Sequence, residues 1–229
     1  MSIDSLFFII ALGAIVAGFV QGLSGFAFGM VAMSFWAWKI NPELVVAMAV
    51  FGALTGQILV AATVRRKFHL KVLFPFLIGG LVGVPIGVVV LPYLDINRFK
   101  SLLGFILVIW CPLMLITNRL PRIKMGGRVA DSTVGGLGGI MSGLGGVAGV
   151  IPTLWCILRG FDKDTQRAVI QNFNLAMLLV TMITYISTGI VTSKMIPIFT
   201  IIAFSMLIPV YIGNRLYNRI SEPLLEKLF

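Results

Sequence analysis

Charge is scarce in this sequence, and acidic charge scarcest. Asp, Glu, Lys and Arg make up 11% of the 229 residues, with eight acidic side chains against 18 basic ones. Ordinary globular domains carry about 25% charged and 45 to 50% apolar residues, whereas 59% are hydrophobic here. The apolar residues come in runs of about 20 rather than in alternating segments of about 10, the pattern of membrane-spanning helices and not of an outer-membrane barrel. The expected fold class is therefore an all-α polytopic membrane protein.

The other shortages exclude chemistry. Asp4, Glu43, Asp95, Asp131, Asp162, Asp164, Glu222 and Glu226 all fall near segment ends or in connections, so no mid-membrane carboxylate is visible for a proton relay. With one histidine, no carboxylate pair in an apolar segment and no metal-ligand spacing, nothing assembles into a nucleophile and its base, and neither an enzyme nor a cofactor is expected. The lone His69 sits in the stretch Arg-Arg-Lys-Phe-His-Leu-Lys and reads as a solvated residue. Cys111 and Cys156 lie inside apolar runs and read as small buried residues, not as a disulfide pair. No basic n-region or small-residue cleavage site accompanies the first run, which opens Met-Ser-Ile-Asp, so no signal peptide is read.

What is present is a basic excess. A net charge of +10 raises nucleic acid as a partner, but Lys and Arg occupy short connections between apolar runs, as the bias of cytoplasmic loops requires. Membrane lipid, not nucleic acid, is the expected surrounding. The runs cover Ser5–Trp38, Leu44–Val64, Val72–Leu94 and Leu102–Ile116, then Val129–Leu158, Ala168–Val191 and Met195–Gly213. One integral domain thus divides into a first transmembrane repeat, residues 1–118, a basic linker, 119–128, and a second repeat, 129–229.

The repeat is written in glycine. Gly18 to Gly29 reads Gly-Phe-Val-Gln-Gly-Leu-Ser-Gly-Phe-Ala-Phe-Gly, and 121 residues later Gly139, Gly143 and Gly146 stand where Gly18, Gly22 and Gly25 do. Further on the register shifts by three, so that Pro85 matches Pro209 and Tyr93 matches Tyr217. At that offset the counterpart of Leu102–Ile116 begins where the chain ends. The second repeat is expected to lack its last helix, with a homodimer partner or further residues completing it.

Ser5–Trp38 spans 34 residues, more than the ~20 of one crossing. The arm after each motif, Phe26–Trp38 or Val147–Leu158, reaches only ~18 to 20 Å at 1.5 Å per residue, against a ~30 Å hydrocarbon core. That length suits a re-entrant half-helix. If the second Gly segment crosses once, the 18 basic residues divide nine to nine; if it returns to its own side they divide 14 to 4, the asymmetry of a positive-inside protein. Loops 65–71, 119–128, 159–167 and the C-terminus are then cytoplasmic in an inner membrane, and the two repeats are inverted. The count does not separate a hairpin from two full spans.

At a broken helix, freed N–H groups and the positive dipole end face the gap, and glycine lets a ligand approach that backbone. Two such ends make an anion site without a charged side chain. The candidates are Gly22, Ser24, Gly25 and Gly29 in one motif and Gly143, Gly145, Gly146 and Gly149 in the other, with Gln21, Ser24 and Ser142 adding side-chain hydrogen bonds. Gln171, Asn172 and Asn174 follow in an otherwise apolar segment, where amides are costly unless they face a partner helix or a wet cavity. Gln171 and Asn174, three apart, share a helix face. Thr55 and Gln57 are weaker counterparts in the first half. Two plainer readings stand beside this one: glycines at three- and four-residue spacing let transmembrane helices pack closely, and amides glue helices together.

The motifs Gly-Leu-Ser-Gly-Phe and Gly-Leu-Gly-Gly-Val, each followed by an apolar arm and a polar turn, carry a resemblance, as does the turn Arg-Gly-Phe-Asp-Lys-Asp-Thr-Gln-Arg-Ala leading into Asn172. Along both halves the sequence resembles the sulfite exporter TauE/SafE family of membrane anion permeases. The resemblance implies a bacterial or archaeal inner-membrane carrier of small sulfur-containing anions such as sulfite, sulfonates or sulfoacetate, with Arg167 and Gln171 at places familiar in the family. The absent last helix departs from it. A passive anion channel and a non-transporting membrane scaffold are the alternatives.

Overall fold

The computed structural model describes residues 3–63, 69–116, 122–123 and 126–226, and every regular element among them is helical. Arg65, Arg66, Lys67, Arg119, Lys124 and Lys227, and the side chain of Cys111, lie outside the described residues.

Each Gly-containing segment is two helices. In the first half they are α1 (Ile3–Ser24) and the nine-residue α2 (Phe28–Trp36). Then come α3 (Pro42–Thr63), α4 (Leu70–Val90) and α5 (Ile96–Ile116). The second half repeats the pattern with α6 (Gly127–Gly145), the nine-residue α7 (Val150–Leu158), α8 (Lys163–Ser187) and α9 (Ile196–Glu226). In element order, α1 to α4 correspond to α6 to α9, and α5 has no counterpart among the described residues.

The breaks are glycine's doing. Gly25 has φ +84° and Gly146, the cap of α6, has φ +71° and ψ 22°, backbone that a side chain with Cβ rarely adopts. After each break the chain folds back along the helix it has left. Trp36 Nε1, at the end of α2, donates to the Ile9 carbonyl near the start of α1 at 3.3 Å. In the second half Trp155 Nε1 donates to Asp131 Oδ1 at 2.7 Å, and the Ile123 amide donates to the Leu158 carbonyl at 2.7 Å. A nine-residue arm is about 14 Å long, under half of the hydrocarbon thickness, so α2 and α7 are each too short to cross it. Asp131, by sequence a segment-end residue, lies inside α6 and is buried as the acceptor of that second clasp.

The long helices make this a polytopic membrane protein. Among the described residues, Leu6–Ser24, Pro42–Ala62, Leu70–Tyr93, Lys163–Ser187 and Ser193–Tyr217 are each long and apolar enough to cross a bilayer. Pro75 and Pro85 lie inside α4, as membrane helices tolerate when neighbours take up the freed backbone groups. Asp162 starts α8 as its N-cap, accepting from the Thr165 amide at 2.9 Å.

The two halves interlock. α1 packs chiefly along α9, and α6 along α4, so each hairpin leans on the other half's helix. Glycine makes both contacts possible: a Cβ on Gly139 would strike the Gly80 backbone, and one on Gly22 the Val210, Gly213 and Asn214 backbone. α3 and α8 form the centre, each with 61% of its apolar span buried, against 22% for α9. Phe74, Val82, Phe204 and Ile208 point outward, as expected where the solvent is hydrocarbon.

Candidate functional site

The glycines of each motif divide into three groups along the chain. The earliest pack helices: Gly18 meets Met206, Gly22 meets the α9 backbone, and Gly139 and Gly143 meet the α4 backbone at Gly80 and Val84. The next, Gly25 and Gly146, turn the chain, each donating its amide back into the helix just ended, to the Gln21 and Ser142 carbonyls at 2.7 Å in both cases. The last bring the turns together. A Cβ placed on Gly29 would lie 3.2 Å from the carbonyl oxygens of both Gly145 and Gly146, and one on Gly149 would lie 3.0 Å from Phe26 Cβ. The start of α2 therefore rests on the second turn and the start of α7 beside the first.

This junction is rich in hydrogen-bonding groups. Neither Ala27 nor Gly149, the N-caps of α2 and α7, caps its helix with a side chain, so first-turn N–H groups and both positive dipole ends face the gap. Ser24 Oγ takes up two amides of the first turn, Phe26 at 3.4 Å and Ala27 at 3.2 Å. Thr153 Oγ1 donates to the Gly149 carbonyl at 2.5 Å. Gln57 Nε2 donates to the Gly25 carbonyl.

Two amides from α8 reach the same place. A Cβ on Gly25 would lie 3.2 Å from Gln171 Nε2, and one on Gly149 only 2.6 Å from Asn174 Nδ2. Asn174 is 2% exposed, yet its Nδ2 has no hydrogen-bond partner. An unmet buried donor costs about 1 to 3 kcal/mol, a cost that a bound acceptor would remove. Gln21 has its own contact, Nε2 donating to the Ala53 carbonyl at 2.9 Å, with Oε1 left unmet. Ser142 Oγ pairs with Thr181 Oγ1 at 2.8 Å, and Tyr185 Oη donates to the Gly143 carbonyl at 2.7 Å.

The structure thus gathers Ser24, Gly25, Gly29, Gly145, Gly146, Gly149, Gln171 and Asn174 at one junction. Gln21, Gly22, Ser142 and Gly143 lie about one turn before the bends, in helix-to-helix contacts. Asn172 is buried, but at 100° per residue it is turned some 160° from Asn174 around α8. Gln57, 1% exposed, belongs at the junction more firmly than its place as a weak counterpart suggested; an amide in an otherwise apolar run was its sequence signal.

A cavity of about 230 Å³ opens from the junction towards the start of α8. Ser24, Phe26, Thr153 and Gln171 form its inner wall, with Lys163, Gln166, Arg167 and Tyr217 further out. Lys163, Gln166 and Tyr217 were not among the site residues expected from the sequence, because a basic turn and a tyrosine 50 residues later carry no local sign of sharing a cavity. At the same end, hydrogen bonding from Thr165, its side chain first and its amide second, holds the Asp162 carboxyl below the usual carboxylate range. Beside Gly145, a second cavity has only about 30 Å³ and is lined by Met30, Met33, Phe99, Met141, Leu144 and Val147 among others.

In comparison with known proteins, the family model described as Sulfite exporter TauE/SafE matches residues 10–229, nearly the whole chain and both bends. No curated protein and no solved structure matches the chain.

Proposed function

Because this chain belongs to the sulfite exporter TauE/SafE family, whose members are membrane anion transporters and not enzymes, we propose that it carries small sulfur-containing anions, of the sulfite, sulfonate or sulfoacetate type, across the inner membrane. The anion is held where the two glycine bends meet. One observation carries this reading: Asn174 Nδ2 is buried without a partner at the contact of the two half-helix starts. An oxyanion there accepts from that amide and from the first-turn N–H groups of α2 and α7, and the two dipole ends offset its charge. With dipoles rather than a fixed cation at this point, binding stays weak enough for release.

The two repeats are read as inverted, each hairpin returning to the face from which it starts. The loops at 65–71, 119–128 and 159–167 then share the cytoplasmic face with the C-terminus. Export from an inside-negative cell releases about 2.3 kcal/mol per 100 mV for each negative charge, so outward transport needs no coupled ion.

The test is Asn174→Leu, close in shape and lacking the unmet donor. Purified wild type should gain thermal stability from sulfite, by about 2.7 kcal/mol at a hundred times Kd. Asn174→Leu should be as stable as wild type without ligand, because a buried donor with no partner is lost, and should show no sulfite-induced shift and no flux in proteoliposomes. A variant that keeps both would remove the junction as the anion site.

A further inference from the structure

We infer that the 230 Å³ cavity at the start of α8 is a second anion site, a capture site in which Lys163 and Arg167 take a soluble oxyanion before it reaches the bends. This rests on the transport reading above and adds residues to it.

The argument begins with spacing. Lys163, Arg167 and Gln171 follow one another at four-residue steps, with Asn174 three further on, so they share one face of α8. Lys163, Arg167 and Gln171 line the cavity, and Gln171 and Asn174 lie against Gly25 and Gly149. One helix face therefore runs from two full positive charges at the mouth to two neutral amides at the junction. Charge at the mouth raises the local anion concentration, and its absence further in keeps the anion from being trapped.

Arg167 is placed to exchange partners. Its guanidinium lies 3.7 Å from the ring centroid of Tyr217 on α9, and its Nη2 reaches Asn214 Oδ1 at 3.5 Å, long beside the ~2.9 Å of a good N–H···O bond. A guanidinium has five donors in a planar fork that matches two oxygens of an oxyanion at once. A sulfite or sulfonate group presents such a pair, and its two charge-assisted bonds outcompete one long bond to an amide. The acidic neighbour acting on Arg167 is Asp164, one turn earlier on the exposed side of α8. Asp162 is committed to Thr165. The cavity beside Gly145 has no cation in its lining and little room, so capture belongs to the face bearing the start of α8.

The experiment is sulfite flux in oriented proteoliposomes, with sulfite presented to the face carrying residues 159–167. Lys163→Gln, at an exposed position that leaves the fold alone, should raise the half-saturating sulfite concentration about threefold, and Arg167→Ala about tenfold, with maximal flux within about twofold of wild type. Arg167→Lys should fall between, keeping the charge and losing the fork, and high salt should shrink the differences. Unchanged half-saturation in both Lys163→Gln and Arg167→Ala, with wild type active, overturns the capture site, leaves the junction standing, and is also what a site for lipid headgroups would give. A fall in maximal flux alone assigns Arg167 to structure and overturns it too. Wild-type vesicles that move no sulfite overturn the transport reading and the capture site together.

Discussion

At the scale of single residues, glycine performs three unlike tasks within one motif. Gly146 has φ +71°, and a Cβ added there would lie 3.0 Å from Val50 Cγ2, while at Gly25, with φ +84°, the nearest atom is the end of the Gln171 side chain at 3.2 Å. A left-handed conformation costs a residue with Cβ roughly 1 to 2 kcal/mol. Gly25→Ala should therefore lose about that much stability. Gly146→Ala should lose more, because Val50 presents backbone as well as side chain to the new methyl. Gly104→Ala, with nothing within 4 Å, should be neutral or stabilising by up to about 1 kcal/mol. Thermal unfolding in detergent checks the order, and equal losses at all three positions would contradict it. The sequence marks all these glycines alike. Only φ and the neighbouring atoms separate a turn from a contact.

At the scale of elements, the pairs α1 with α9 and α4 with α6 hold the halves together through backbone contact. Two glycines of α6, three residues apart, make a sharp comparison. A Cβ on Gly139 would run into the Gly80 backbone, which has no way to give, whereas one on Gly136 would sit 3.5 Å from the Gly79 carbonyl, an ordinary contact. Gly139→Leu should leave no monodisperse folded protein on size-exclusion chromatography, and Gly136→Ala should behave as wild type. Recovery of folded Gly139→Leu would mean that α4 and α6 separate at little cost. The close-packing reading of glycine spacing thus holds at Gly22, Gly139 and Gly143, and the proposed anion site takes the glycines of the next turn. The glycine register did not give the choice of partner, since α6 leans on α4 of the other half rather than on its own long helices.

For the whole molecule, the clasps at Trp36 and Trp155 and the bond from Ile123 to Leu158 bring the far end of each short arm back beside the start of its own hairpin. The 14-to-4 division of basic residues expects the same path. Membrane-impermeant labelling of single cysteines, with Cys111 and Cys156 replaced, should find Arg122→Cys and Asp164→Cys on one face and Asn97→Cys and Lys194→Cys on the other. Labelling of Arg122→Cys and Asp164→Cys from opposite faces would make the second hairpin a crossing and the repeats parallel.

The all-helical membrane class was determined by the sequence alone, because the thickness of hydrocarbon and the cost of buried charge act on local stretches of chain. Which glycine bends and which packs, the meeting of Gly29 with Gly145 and Gly146, the unmet amide of Asn174, and the cavity shared by Lys163, Arg167 and Tyr217 were decided only in the tertiary structure. Their partners are distant in the sequence, Gly22 from Val210 and Gly29 from Gly146 for example, and the contacts that join them depend on how whole helices cross, which no local pattern encodes.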